Sequence, residues 1–272
     1  MQAIKVAGAD GLMLAVQEWG NPRGPEILFI HGFNQSHLSW LRQVIDPTLA
    51  ATFRMVTLDL RGHGSSDKPA DQNCYAHLRW GDDIAAVMRA TALRRPVLVG
   101  WSFGGNVICD YVRSFGTETI GGINFVAAAT KSDPAFFGPG RDNYPGMYSD
   151  DLATNIASTR GFLRACFARQ PVEDDFETML AFNMVVPTSV RTGVLGRPPN
   201  SGDALARIRC PVLVTHGVED QILLVGLGKS TAAAIPGAAL SLYNGVGHAP
   251  FWEDAPRFNR ELAQFVRAAI KG

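Results

Sequence analysis

The apolar run Arg95-Pro96-Val97-Leu98-Val99 leads directly into Gly100-Trp101-Ser102-Phe103-Gly104, and helical spacing follows in Asn106-Val107-Ile108-Cys109-Asp110-Tyr111-Val112. A buried strand, a Gly-x-Ser-x-Gly turn and then a helix constrain the fold severely. Ser102 must sit on a strained strand-to-helix turn, with its hydroxyl held where a base can reach it. Side chains at Gly100 and Gly104 would collide with neighbouring backbone. The N-terminus of the helix points at the site and favours negative charge developing there.

The rest of the chain supplies partners for that strand and helix. Glu26-Ile27-Leu28-Phe29-Ile30 is nearly continuously apolar, as expected of a strand buried on both faces. Phe53–Leu58, Val97–Val99, Ile123–Val126, Val212–Thr215 and Leu240–Tyr243 read similarly, and Leu12–Val16 reads as an early strand. Helical patterns lie between them, near 37–50, 77–93, 102–115, 225–235 and 255–270. Strands alternating with helices predict an α/β fold with a mostly parallel sheet and helices on both faces. Residues 131–205 break the alternation. They open with Asp133-Pro134-Ala135-Phe136-Phe137-Gly138-Pro139-Gly140, turn helical near 149–170 and 173–186, and close with Pro198-Pro199-Asn200-Ser201-Gly202. The expected organisation is a core of residues 1–130 and 206–272, with 131–205 as a helical cap over the strand ends.

Composition narrows the partners. The formal net charge is +0, which argues against nucleic acid or an anionic membrane, since both require a basic surface. No apolar stretch reads as a secretory signal or a membrane span, so a cytoplasmic protein is expected. Cys74, Cys109, Cys166 and Cys210 are far apart and show no C-x-x-C spacing, which points to free thiols. No histidine pair has metal-ligand spacing, no G-x-x-x-x-G-K-[ST] is present, and no G-x-G-x-x-G opens a helix after the first strand. Neither a catalytic metal nor a cofactor is expected.

A nucleophilic serine needs a base. His248, in Gly245-Val246-Gly247-His248-Ala249-Pro250, follows the last predicted strand, and α/β sheets place their sites at such strand ends. The base needs an orienting carboxylate, and His216-Gly217-Val218-Glu219-Asp220 follows the strand before. Asp220 is the first candidate and Glu219 the alternative. The oxyanion of a tetrahedral intermediate needs preorganised donors. The Phe103 amide is one, and Phe33, in His31-Gly32-Phe33-Asn34, offers the second. Trp101 and the cap residue Tyr144 are candidate substrate contacts. His31 and His63 read as structural residues bonding neighbouring loops, His37 and His77 as helix-surface or cap-facing residues, His216 as a packed core histidine, and Trp40 as core.

With these residues in place, the chain resembles the α/β-hydrolase superfamily. The order Ser102, Asp220, His248 matches that family's triad order. His31-Gly32 and Asp59-Leu60-Arg61-Gly62-His63-Gly64-Ser65-Ser66 look like its segments after the third and fourth strands. The resemblance spans essentially the whole chain and implies oxyanion roles for Phe33 and Phe103. The family's acid loop usually carries a proline, whereas Gln221-Ile222-Leu223-Leu224 has none. Single-cap esterases, cofactor-free perhydrolases and N-acyl-homoserine lactonases all look similar, and Gly100-Trp101-Ser102 and Gly247-His248-Ala249-Pro250-Phe251 resemble the lactonases in particular. The expected activity is serine-dependent hydrolysis of a small-molecule carboxylic ester or lactone. Perhydrolysis, carbon–carbon bond hydrolysis and a ligand-sensing regulator on the same fold are the alternatives.

Overall fold

The computed structural model describes residues 1–75, 79–195 and 202–271. Its strands are β1 (Gln2–Ala7), β2 (Met13–Gly20), β3 (Glu26–Ile30), β4 (Arg54–Leu58), β5 (Val97–Trp101), β6 (Gly122–Val126), β7 (Val212–Gly217) and β8 (Ala239–Tyr243). They form one sheet in the order β1-β2-β4-β3-β5-β6-β7-β8. From β4 to β8 every neighbouring pair is parallel, while β2 runs antiparallel to both β1 and β4. Every residue of β5, β6 and β7 is buried, which is why these strands read as unbroken apolar runs. The fold class is therefore the α/β arrangement expected from the sequence.

The order of strands locates a crevice. From β3 the chain moves to β4 on one side, then crosses back to β5 on the other. At such a switch point the loops leaving the two strands diverge and open a cleft at their C-terminal ends. The loop after β3 carries Phe33, and the turn after β5 carries Ser102.

Three local expectations need correction. The strand expected over 12–16 extends over Met13–Gly20, because β1 and β4 pair along its length. β1 itself was not expected: only Val6 is buried in it, so this edge strand has almost no apolar pattern to read. The single helix expected over 37–50 is divided into His37–Trp40, Leu41–Val44 and Pro47–Thr52. Ile45 caps the end of the second piece, and Asp46 caps the start of the third, its carboxylate accepting the Leu49 N–H at 2.8 Å, with Pro47 in the first helical turn. The pattern near 77–93 forms the helix Arg79–Ala90, and His77 lies outside the described residues.

Between β6 and β7 the described residues contain helices and no strand, chiefly Leu152–Ala165, Glu173–Met184 and Thr188–Leu195. Of the expected closing run, 198–201 lies outside the described residues. Arg191, 1% exposed, ties these helices together. Its guanidinium donates to the carbonyl oxygens of Val186, Met147 and Asn183 and to Asn155 Oδ1, at 2.8–3.0 Å. Burial without a carboxylate partner pulls its pKa down to about 10.

Candidate active site

Ser102 has φ 53° and ψ −116°, a conformation that costs a non-glycine residue roughly 1–3 kcal/mol. The surroundings impose it. The Ser102 N–H donates to Val126 O at 3.0 Å, and its carbonyl accepts from Gly105 and Ala129 at 2.9 and 2.8 Å. The glycines of the turn permit close packing: a Cβ on Gly104 would lie 2.5 Å from Ile30 O, and one on Gly100 would lie 2.8 Å from Gly104 O. Ser102 remains partly exposed at the start of the helix Phe103–Phe115.

Trp101 links this turn to His248. Its indole N–H donates to the His248 carbonyl at 2.8 Å, and its ring centroid lies 5.6 Å from that of the imidazole. The candidate nucleophile and base are thus gathered at one end of the sheet. His248 is 1% exposed; its Nδ1 lies 2.7 Å from Asp220 Oδ2, and its Nε2 has no hydrogen-bond partner. The other oxygen of Asp220 accepts the N–H groups of Ile222 and Leu223 at 2.8 and 2.9 Å. Burial alone would raise the Asp220 pKa, but the adjacent His248 imidazole, helped by His216, holds the carboxyl well below the usual carboxylate range. An ionised Asp220 fixes the Nδ1–H tautomer of His248 and leaves the Nε2 lone pair open. Glu219 is exposed, and Asp220 is the acid that meets the imidazole.

The loop after β3 lies against the serine. A Cβ on Gly32 would come within 3.2 Å of Ser102 Cβ and 3.3 Å of Trp101 Cε3. Phe33 follows, buried, with its ring against that of Tyr144 at 5.7 Å between centroids. Two histidines brace the loop. His31 Nδ1 donates to Gly32 O at 2.8 Å, while its Nε2 accepts the Leu60 N–H at 3.0 Å. His63 Nδ1 donates to Arg61 O at 2.8 Å, and its Nε2 accepts the Asn34 N–H at 3.2 Å. Phe103 directly follows Ser102 at the first position of its helix.

Sequence reasoning missed three contributors. His216 is buried as expected, but its Nε2 also lies 3.1 Å from Asp220 Oδ2 and 2.8 Å from Leu223 O. The carbonyl can only accept, so Nε2 carries a proton and turns it toward the carboxylate as well. Cys166, from the β6–β7 segment, presents its carbonyl to the His248 N–H at 2.8 Å. Glu253 accepts the Gly247 N–H and the Arg169 N–H, each at 2.7 Å, and so joins the histidine loop to the same segment. The i, i+4 spacing of His216 and Asp220 was a readable signal; the contacts of Cys166 and Glu253 cross the tertiary structure and left none. His37 pairs with Asp59, Nδ1 to Oδ1 at 2.8 Å, and Trp40 is fully buried. The cysteines are free thiols.

A model described as the alpha/beta hydrolase family matches residues 27–261. The chain belongs to that family. Among solved structures, a Burkholderia cenocepacia protein provisionally termed an aryl esterase is 37% identical, with a TM-score of 0.96 and coverage of 100% of both chains. An esterase from Rhodococcus sp. ECU1013 is 31% identical, with a TM-score of 0.92, covering 99% of this chain and 100% of that one. A curated relative, a bifunctional esterase/perhydrolase from Acinetobacter calcoaceticus, is 27% identical over 97% of this chain and 99% of its own length. Among the described residues no helix is long and apolar enough to cross a membrane, and no group of three or more His, Cys, Asp or Glu side chains is placed to hold a metal ion.

Proposed function

We propose that Ser102, His248 and Asp220 form a catalytic triad that hydrolyses small-molecule carboxylic esters through an acyl-enzyme. Carboxylic ester hydrolysis in general follows from family membership and from full-length esterase relatives at 31% identity and above. The triad reading rests on one observation: a buried imidazole held at Nδ1 by an ionised carboxylate, with Nε2 unpartnered, beside a strained serine turn.

His248 Nε2 takes the Ser102 proton as Oγ adds to the ester carbonyl. The oxyanion is received by the Phe33 and Phe103 N–H groups, and loss of one such donor typically raises the barrier by about 3–4 kcal/mol. The imidazolium then protonates the departing alkoxide. Water, deprotonated by the same Nε2, attacks the acyl-enzyme and returns Ser102. Asp220 stabilises the imidazolium without accepting its proton. In this reading residues 1–130 and 206–272 form the catalytic core, 131–205 cap it, and Trp101 and Tyr144 border the substrate.

A lactone fits the same sequence of steps, the alcohol staying tethered to the acyl group. A structure described as an N-acyl homoserine lactone degrading enzyme, 26% identical with a TM-score of 0.79, supports testing lactones. Hydrogen peroxide replacing water in the second half-reaction would release a peracid, and the esterase/perhydrolase relative favours including that assay. The decisive assay compares wild type and Ser102→Ala on p-nitrophenyl acetate. The variant should fall to the buffer rate; retained turnover would overturn the triad.

A further inference from the structure

The loop that carries Asp220 is held from two sides. On the side of the β6–β7 segment, Phe136 O accepts the Leu224 N–H at 2.9 Å, and the N–H groups of Gly138 and Gly140 donate to Ile222 O and Gln221 O at 3.1 and 2.8 Å. Leu223 O instead meets His216, whose Nε2 donates to it at 2.8 Å and lies 3.1 Å from Asp220 Oδ2. The ring has little freedom to turn away. His216 is fully buried, and the helix Val225–Ala233 passes so close that a Cβ on Gly228 would fall 2.6 Å from Nδ1 and 2.9 Å from Cβ of the histidine. Nδ1 has no hydrogen-bond partner among the described residues, so the ring is anchored at Nε2 and aimed by it.

An ionised carboxylate offers about four lone-pair sites, two on each oxygen. In Asp220 the Ile222 and Leu223 N–H groups fill two at Oδ1, and His248 Nδ1–H fills one at Oδ2. His216 takes the fourth. We propose that His216 is a positioning residue for the reaction: by filling the last site on Oδ2 it keeps that oxygen turned to His248 and closed to the proton that His248 carries. The inference rests on the triad reading above and adds a residue to it. With that site empty, the Nδ1 proton would have a lone pair to move to across the 2.7 Å contact once His248 becomes imidazolium, and the charge that stabilises the imidazolium would be lost.

The test compares two substitutions of His216. Gln places an amide N–H near the position of Nε2, whereas Phe keeps a planar ring and lacks the donor. On p-nitrophenyl acetate, His216→Phe should lower kcat/KM by about tenfold to a hundredfold, and His216→Gln should stay within about threefold of wild type. A role in packing alone predicts the reverse order, since Phe preserves the ring; that order, or equal losses, overturns the proposal. In the Asp220→Asn background His216→Phe should cost less than about twofold more, and a loss that multiplies in full overturns it as well. Nitrogen NMR of wild type carrying isotopically labelled histidine, with His216 assigned by its absence from His216→Gln, should show the Nε2–H tautomer. That spectrum decides even if His216→Phe does not fold, and an Nδ1–H tautomer overturns the proposal. If Asp220→Asn turns over the ester like wild type, the triad reading falls and the role of His216 with it. If Asp220→Asn is crippled while His216→Phe is not, the role of His216 falls alone.

Discussion

Two clusters of histidine and aspartate lie at the C-terminal end of the parallel sheet, and they are wired differently. Around Asp59, which pairs with His37, the rings of His31 and His63 pack 5.1 Å apart between centroids. Both rings donate from Nδ1 to a carbonyl and accept at Nε2 from an amide, so every nitrogen is occupied. Burial pulls their pKa values down to about 4 and about 3. Adding a proton at Nε2 would drive one N–H against another. Around Asp220, by contrast, His248 has Nδ1 fixed and Nε2 open. His216 also has an unpartnered nitrogen, but its Nδ1 faces Gly228 so closely that even a Cβ there would come within 2.6 Å. No substrate atom can enter at that contact. A buried imidazole with both nitrogens filled can only brace; one with a nitrogen left open, as in the proposed triad, is free to act as a base.

The contrast can be broken most severely at His248. His248→Gln should lower kcat by on the order of 10⁶-fold, to the limit set by background hydrolysis, with little change in the thermal midpoint. Asp220→Asn should cost about 10⁴-fold in kcat, because the amide favours the wrong imidazole tautomer. Steady-state kinetics on p-nitrophenyl acetate read both. In the other cluster the damage should appear first in stability. His63→Ala strands the Asn34 N–H and the Arg61 carbonyl and should cost about 1–3 kcal/mol in urea unfolding at pH 7.

Acid sharpens the same distinction. In the unfolded chain His31 and His63 take up protons near pH 6.5, whereas the folded rings resist until about pH 4 and about 3. The unfolded state therefore binds more protons in that window, and stability falls as pH drops below 6.5, by up to about 1.4 kcal/mol per pH unit for each ring. Above pH 6.5 the two rings contribute no slope. Urea titrations at pH 7, 6 and 5 should show this decline, and His63→Ala should flatten it. The smallest effect belongs to the neighbour of the proposed triad acid: Glu219→Gln, at an exposed carboxylate, should change kcat/KM by less than about twofold. A large loss there would mean that the wrong acid has been chosen.

Much of this site could be read from residue order because its parts follow local rules. The apolar strand before Gly100-Trp101-Ser102-Phe103-Gly104 and the helix after it define the turn by themselves, and Asp220 follows the buried strand β7 while His248 follows the edge strand β8. What escaped notice depends on tertiary neighbours. Strand β1 buries only Val6 and is held by pairing along β2, so it carries no pattern of its own. The break near residue 46 did have a signal, Asp46-Pro47, which helical periodicity across 37–50 obscured. His216 looked like core because it is core; that it also touches the Asp220 carboxylate depends on how the chain turns between Gly217 and Asp220. The Cys166 carbonyl and the Glu253 carboxylate reach the histidine loop across the fold, where no sequence spacing could announce them.

The central claim is that the Ser102 hydroxyl is reactive because His248 takes its proton. Treatment with a fluorophosphonate, followed by peptide mass spectrometry, tests this without knowledge of the natural substrate. Wild type should gain a single adduct on Ser102, and His248→Gln should label slower by orders of magnitude. An adduct on another residue, or equally rapid labelling of Ser102 in His248→Gln, would contradict the account.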